Sequence, residues 1–290
     1  MSELKVGFVG LGAMGISMAG HLNKAGLLVG VANRSAAKVQ AFAKQNGVLG
    51  AGSPGELAAS CNVIVLCVSA DADVLSVTKE IAAQAKAGTI VIDHSTVSAQ
   101  TAKEAHALMK AVGGDFIDAP VSGGVEGAKN GKLSVMAGGT AAALEKVKPA
   151  LDTYAARISH MGGIGAGQST KAVNQILIAG VMQGFGEGLA LAEALGLDPV
   201  VLMTTLTGGA ANSWYLEKRG ASALRNEFSV GFKAALMHKD LGIGQELARS
   251  AGTAKTVIDK TIADLAQLMA QGHGDEDVSA ILRLKRPQHG

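Results

Sequence analysis

Gly10-Leu11-Gly12-Ala13-Met14-Gly15 follows the apolar run Lys5-Val6-Gly7-Phe8-Val9 and opens a helix-like stretch. Three glycines at this spacing after a strand suit a dinucleotide pyrophosphate. Gly10 permits a tight turn, Gly12 lets backbone approach the phosphates, and Gly15 lets the helix pack closely on the strand. The phosphates would then meet a helix N-terminus, where unpaired N–H groups and the helix dipole favour an anion. A second strand-like run, Leu27–Ala32, ends in Asn33-Arg34-Ser35. An acidic side chain at that place would bind the ribose hydroxyls of NAD, and none is present. A neutral Asn33 and the planar fork of Arg34 suit a 2′-phosphate, so the sequence predicts NADP over NAD, with NAD the alternative.

Three further blocks could carry chemistry. In Asp118-Ala119-Pro120-Val121-Ser122-Gly123-Gly124, the Ser122 hydroxyl and the backbone of Gly123 and Gly124 can form an anion nest for a substrate carboxylate. Asp118 is expected to brace that turn rather than react. The glycine-rich run from Gly162 enters a helical pattern in which Lys171 and Asn174 share one face. Ala172, Val173, Ile176 and Leu177 around them desolvate the lysine and suit it to proton exchange with an alcohol or carbonyl oxygen. In His238-Lys239-Asp240, Lys239 is expected to reach a nicotinamide and Asp240 to pair structurally, since helical neighbours point different ways. His94 and His238 show no partner pattern for a metal or a triad. Plainer readings compete throughout: an empty glycine turn, a solvated Arg34, an ordinary Pro-Gly turn, and a lysine that snorkels to the surface. Trp214 either lines a pocket or belongs to the core.

These residues need elements to hold them. Up to Gly162, short β-branched runs (Val63–Val68, Thr89–Ile92, Phe116–Ile117, Ser134–Ala137, Arg157–Ser159) alternate with helical ones (Ser35–Gln45, Ser53–Ser60, Asp71–Ala85, Ser98–Val112, Thr140–Thr153). The pattern predicts an α/β fold with a doubly wound sheet of Rossmann type. Ligands in such sheets bind beyond the strand C-termini, which directs attention to Val68-Ser69, His94-Ser95-Thr96 and Pro120-Val121-Ser122. From Gly167 the strand signal ends. A long helix to Gly196 is expected to join the domains, and Pro199–Leu206, Ser213–Ala223, Phe232–Ser250 and Ala254–Gln271 read as further helices. The expected division is a cofactor-binding domain over 1–163 and an all-α substrate and oligomerisation domain over 164–290. Gly180, Gly184, Gly186 and Gly188 are expected to mark close helix–helix contacts, within the chain or across a dimer interface, rather than a loop.

Composition removes several classes. The chain has 290 residues, is 48% hydrophobic and carries a net charge of +2, which suits a globular protein and implies no nucleic-acid surface. The tail Arg283-Leu284-Lys285-Arg286 is expected to be solvated. Two cysteines, Cys61 and Cys67, do not make a metal site. The apolar stretch Ile176–Leu195 contains Gln183, Glu187 and Glu193 and is expected to be a core helix rather than a membrane span. The opening residues carry no export pattern, so a cytoplasmic location is expected.

Taken together, GLGAMG at Gly10–Gly15, DAPVSGG at Asp118–Gly124, the glycine-rich run to Lys171 and Asn174, and Lys239-Asp240 resemble the signatures of the β-hydroxyacid dehydrogenase family. That family includes 3-hydroxyisobutyrate dehydrogenase and tartronate semialdehyde reductase. The resemblance spans nearly the whole chain. It implies that Lys171 is the general acid/base, that Asn174 positions the substrate and Lys171, and that Ser122, Gly123 and Gly124 hold a small substrate's carboxylate. It further implies that Gly10, Leu11, Gly12, Ala13, Met14, Gly15, Asn33, Arg34, Ser35, Val68, Ser69, Thr96 and Lys239 bind cofactor, and that the chain forms a homodimer or homotetramer. The related 6-phosphogluconate dehydrogenases place a histidine where this chain has Val173, and imine reductases usually replace the catalytic lysine. A glyoxylate or succinate semialdehyde reductase stays open as an alternative, as does a non-catalytic NADP-binding sensor or scaffold. The chain departs from the family pattern at Gly242 and Gly244, which are expected to loosen their helix.

Overall fold

Alternating strands and helices occupy the first of the two units into which the computed structural model divides, Met1–Lys171 and Ala172–Gly290. The structure describes residues 3–229 and 231–287. The first unit runs β1 (Val6–Val9), α1 (Gly15–Lys24), β2 (Leu28–Ala32), α2 (Ala36–Asn46), β3 (Leu49–Gly50), α3 (Pro54–Ser60), β4 (Val63–Leu66), α4 (Asp71–Ala82) and β5 (Ile90–Asp93). It continues through α5 (Ala99–Ala111), β6 (Asp115–Asp118), β7 (Val121–Ser122), α6 (Gly124–Lys129), β8 (Leu133–Gly138), α7 (Ala141–Leu151) and β9 (Ala155–Gly162). Helices α3, α5 and α7 begin where the Ser53, Ser98 and Thr140 hydroxyls accept the N–H three residues on.

The sheet order is β3-β2-β1-β4-β5-β6-β8-β7, with β9 on β8. Along that order the strands from β3 to β6 pair in parallel, β8 is antiparallel to β6 and β7, and β8 and β9 are parallel. Every residue of β1, β4 and β5 is buried, as expected of strands covered on both faces. Phe8, Met18, Leu22, Ile92, Ile117 and Tyr154 fill one side, and Leu57, Ile64, Leu66, Ile81, Met109 and Phe116 fill the other. This is a Rossmann-type doubly wound sheet with a mixed extension. Because β1, β4, β5 and β6 are parallel, their C-terminal ends deliver Gly10, Cys67-Val68, His94–Thr96 and Ala119–Ser122 to one edge. The strands β3 and β7 and the helix α6 were not anticipated, since elements of two to six residues are too short to show a period.

Helix α8 (Ala166–Ala194) begins in the first unit and continues into the second. There follow α9 (Pro199–Thr207), α10 (Trp214–Leu224), α11 (Ala234–Ala251), α12 (Thr256–Ala270), a 3₁₀ turn at Val278–Ile281, and α13 (Leu282–Lys285). The second unit is therefore all-helical among its described residues. Its core gathers Met182, Phe185, Leu189, Met237, Leu241, Leu265 and Ile281. Helix α8 is long and apolar enough to cross a membrane by length and composition alone. In the second unit it supplies core side chains, and its Gln183 amide donates to Thr261 Oγ1 at 3.1 Å and Asp264 Oδ2 at 2.9 Å.

Within this chain only one of the four interior glycines of α8 meets another helix closely: a Cβ on Gly186 would lie 3.1 Å from Lys285 Cγ, whereas among the described residues Gly180, Gly184 and Gly188 have nothing within 4 Å. Those three are exposed, as are Val173, Leu177 and Leu191 on the same helix. The segment Arg283–Arg286 is not simply solvated, because its charges find partners distant in sequence. Arg283 pairs with Glu276 at 3.0 Å, Lys285 with Asp264 at 2.9 Å, and Arg286 with Glu193 at 2.7 Å. Helix α11 runs unbroken through Gly242 and Gly244; Gly244 is buried and lets Ile176 of α8 approach, its Cβ position being 3.5 Å from Ile176 Cγ1.

Candidate active site

The glycine turn has the geometry its spacing predicted. Gly10 has φ +104°, and a Cβ there would sit 2.2 Å from Cys67 O; a Cβ on Gly15 would sit 1.9 Å from Gly10 O. A Cβ on Gly12 would meet nothing within 4 Å, which leaves an open cradle before α1. No side chain caps α1 and its first turn holds no acid; the Ile16 and Ser17 N–H groups donate to Gly12 O and Met14 O, so an anion here would meet the N–H groups of the glycine turn and the positive end of the helix dipole. At the end of β2, Asn33 does more than leave out a charge: its Oδ1 accepts the Leu11 N–H at 3.1 Å and ties the turn to the neighbouring strand. The Arg34 side chain is 86% exposed and lies 3.8 Å from Asp73 Oδ1. Ser35 is exposed at the start of α2. A dinucleotide fits these residues: an open glycine cradle, an uncapped helix and an exposed guanidinium with no acid at the strand end.

Successive contacts lead from this turn along the strand ends. Ser95 Oγ accepts the Val68 N–H at 2.9 Å, and Ser95 N–H donates to Asp93 Oδ1 at 2.9 Å. Gln168, buried in the first turn of α8, donates from Nε2 to Ser95 O at 2.7 Å and accepts the Val97 N–H at 3.1 Å. Asp118 does brace, but its target is α8: its carboxylate accepts the N–H of Gly165 at 2.8 Å and of Gln168 at 2.9 Å. Burial pushes the Asp118 carboxyl above the usual range, and those amides oppose the shift. Ser69 is exposed and Thr96 half-buried beside these contacts.

Lys171 is buried, at 8% exposure, which rules out a snorkelling surface lysine. Its Nζ donates to Val121 O at 2.9 Å, so β7 and the helix meet at the amine. Directly after Val121, Ser122 is half-buried, and Gly123 and Gly124 take φ +121° and +60°, which side chains rarely adopt. Both glycines are thus demanded by the loop's shape.

Asn174 lies three residues beyond Lys171 on α8, and its Nδ2 donates to Gln175 Oε1 at 2.8 Å. Gln175 Nε2 donates to Asp240 Oδ2 at 2.8 Å, and Asp240 Oδ1 pairs with Lys239 Nζ at 2.9 Å. Adjacent helical residues do share a role here, because the Lys239 chain is long enough to fold back on its buried neighbour. Trp214 is partly exposed, edge-on to Tyr215 at 5.1 Å.

Sequence reasoning missed Gln168, Gln175 and His94. His94, given no role above, is buried with both ring nitrogens engaged: Nδ1 is 2.6 Å from Ala119 O and Nε2 2.9 Å from Tyr154 Oη. Its partners lie 25 and 60 residues away, so no local spacing could have found them. Burial pulls its pKa down to about 4. The neighbouring Asp93 is pushed up to about 7 by burial, and its Oδ2 has no hydrogen-bond partner among the described residues. Burial also raises the thiols of Cys61 and Cys67, to about 11 and about 12, which keeps them protonated and unreactive. Among the described residues no group of side chains could hold a metal ion.

Comparison with known proteins matches two family models to successive parts of the chain. Residues 5–163 match the family model for the NAD-binding domain of 6-phosphogluconate dehydrogenase. Residues 165–285 match that for the NAD-binding region of NADP-dependent 3-hydroxyisobutyrate dehydrogenase. An uncharacterised oxidoreductase of Shewanella frigidimarina is 40% identical over 96% of this chain and 97% of its own. An NAD-dependent L-serine dehydrogenase of Pseudomonas aeruginosa is 33% identical over 99% of each. The solved structure of Mycobacterium tuberculosis 3-hydroxyisobutyrate dehydrogenase with L-serine superposes with a TM-score of 0.90, at 32% identity, over 99% of this chain and 100% of that one.

Proposed function

The chain belongs to the β-hydroxyacid dehydrogenase family and is an NAD(P)-dependent hydroxyacid dehydrogenase, and from that premise we propose an NADP-dependent enzyme acting on a small 3-hydroxyacid or its semialdehyde. The substrate is of the 3-hydroxyisobutyrate or tartronate semialdehyde type, with Lys171 as general acid/base. The observation that carries the reading is the buried Lys171 amine, held on the Val121 carbonyl directly before Ser122-Gly123-Gly124.

When bound, the nicotinamide supplies or takes the hydride. Lys171 gives a proton to the substrate oxygen in reduction and removes it in oxidation, so charge does not build up on that oxygen. The Ser122 hydroxyl and the N–H groups of Gly123 and Gly124 hold the carboxylate. Asn174, on the same helical face as Lys171, orders both substrate and amine. Gly10 to Gly15 take the pyrophosphate, and the exposed Arg34 takes a 2′-phosphate. Val68, Ser69, Thr96 and Lys239 add cofactor contacts. The enzyme works as a homodimer or homotetramer, a reading supported by the exposed Val173, Leu177 and Leu191 beside open glycines on α8.

The test follows the absorbance of reduced nicotinamide, with NADPH and NADH each offered against methylmalonate semialdehyde, tartronate semialdehyde, succinate semialdehyde and glyoxylate. 3-Hydroxyisobutyrate and L-serine are offered in the oxidative direction. Turnover of methylmalonate semialdehyde, tartronate semialdehyde or 3-hydroxyisobutyrate with NADPH preferred over NADH is expected. Lys171→Ala should lose about 10²–10⁴-fold in rate while still binding NADPH. Near-normal turnover by that variant ends the assignment of Lys171, and equal catalytic efficiency with the two cofactors ends that of Arg34.

A further inference from the structure

The hydrogen bonds around His94 fix more than the ring itself. Ala119 O can only accept, so the nitrogen 2.6 Å away, Nδ1, carries the ring proton. A neutral imidazole then has a bare Nε2, which accepts from the Tyr154 hydroxyl at 2.9 Å. The two rings meet edge to face at 5.5 Å and are 1% and 0% exposed, so no solvent competes for these bonds. Burial keeps the imidazole neutral and therefore in one tautomer.

The segment that His94 grips leads directly to Lys171. Ala119 N–H donates to Asp93 O at 2.7 Å, which pins residue 119 to the end of β5 from its other side. Pro120 O accepts the Met136 N–H at 3.0 Å, and Val121 O, one residue on, receives Lys171 Nζ. Three consecutive carbonyls are thus each held by a donor from a different part of the chain, the first and third by side chains. Without the first donor, a buried carbonyl stands unpaired two residues before the one that holds the amine.

We propose that His94, with its tautomer set by Tyr154, is the positioning residue that holds the Ala119–Val121 segment in the register that places the Lys171 amine. The proposal rests on the acid/base reading of Lys171. It assigns function to a tyrosine–histidine–carbonyl relay that touches neither substrate nor cofactor.

Two measurements test it. Long-range ¹H–¹⁵N spectra of the ¹⁵N-histidine-labelled protein at neutral pH should show His94 protonated at Nδ1 and bare at Nε2. In Tyr154→Phe the Nε2 resonance should move as its donor is lost. An Nε2–H tautomer in the unaltered protein overturns the proposal whatever the catalytic results.

The kinetic test compares His94→Gln with His94→Asn in NADP-dependent oxidation of 3-hydroxyisobutyrate. An asparagine amide nitrogen overlays Nδ1 and keeps the bond to Ala119 O; a glutamine amide reaches towards the place of Nε2 and does not. His94→Gln is expected to lower kcat about ten- to hundredfold with KM and NADPH affinity changed less than about twofold, and His94→Asn to recover most of the loss. Equal kcat in the two variants overturns the proposal. Lys171→Met, run in parallel, separates the two claims: ordinary turnover there removes the acid/base reading and this proposal with it. A dead Lys171→Met beside a fully active His94→Gln removes the proposal alone.

Discussion

Replacing Asp93 by asparagine should stabilise the protein at alkaline pH and leave it unchanged at acid pH. Asp93 is fully buried, its Oδ2 has no partner among the described residues, and Asp118 and Asp71 nearby disfavour a further negative charge. Its pKa is pushed from 3.8 up to about 7. Below the ordinary value both folded and unfolded chains are protonated there, and nothing is lost. As pH rises through the window, the unfolded chain gives up its proton while the folded chain keeps it, so stability falls until about pH 7 and then stays level. Three units at about 1.36 kcal/mol each set a ceiling of about 4 kcal/mol. His94 next to it works in the opposite sense, its pKa being pulled from 6.5 to about 4. Stability from that residue is complete above its ordinary value and lost as pH falls towards 4. Over the shared window the two slopes oppose, and the unaltered protein should show little net dependence from this pair. The amide introduced by Asp93→Asn keeps an acceptor for the Ser95 N–H and does not titrate. Urea unfolding across the range from about pH 4 to pH 8 should therefore show the variant matching at the acid end and about 2–4 kcal/mol more stable at the alkaline end. Its stability should rise with pH through the window once the His94 slope is uncovered. An Asp93→Asn protein less stable than the original at about pH 8, or a constant offset at every pH, refutes the reasoning.

Two glycines of the turn should separate folding from binding. Gly12→Ala adds a methyl into open space, so its melting temperature should stay put while NADPH binding, followed by fluorescence titration, weakens about tenfold; unchanged binding would deny the cradle. Gly15→Ala places a Cβ 1.9 Å from Gly10 O and should cost several kcal/mol by thermal or urea unfolding. Asp118→Ala frees the N–H groups of Gly165 and Gln168 at the start of α8. A loss of about 2–4 kcal/mol is expected by urea unfolding, with a fall in kcat; a loss below about 1 kcal/mol would mean the clamp is dispensable.

How much of this was legible in the chain depended on distance along it. The structural demands on Gly10 and Gly15 could be read because each arises within the turn itself or against the adjacent strand. The course of α8 was legible because a 29-residue period outweighs four interior glycines. Asp118 was expected to brace its own turn, yet it reaches 47 and 50 residues ahead to the start of a helix. Gln168 carried no signal and His94 only its place after a strand, since a buried amide or imidazole is defined by the carbonyls opposite it, and those are set only when the strands have paired. The tail around Lys285 misled for the same reason: its charges look solvent-bound until Asp264, Gln183 and Glu193 are brought against them.

The bond from Leu11 N–H to Asn33 Oδ1 has a consequence for how cofactor choice can change over evolution. A carboxylate at position 33 would accept the same N–H with the same reach, since aspartate and asparagine differ there in charge rather than in shape. On the proposed cofactor reading, the tether that shapes the glycine turn would therefore survive a change of charge at position 33. A single substitution there would alter the electrostatics beside the ribose while the turn keeps its support, so selectivity would drift without passing through a misfolded intermediate.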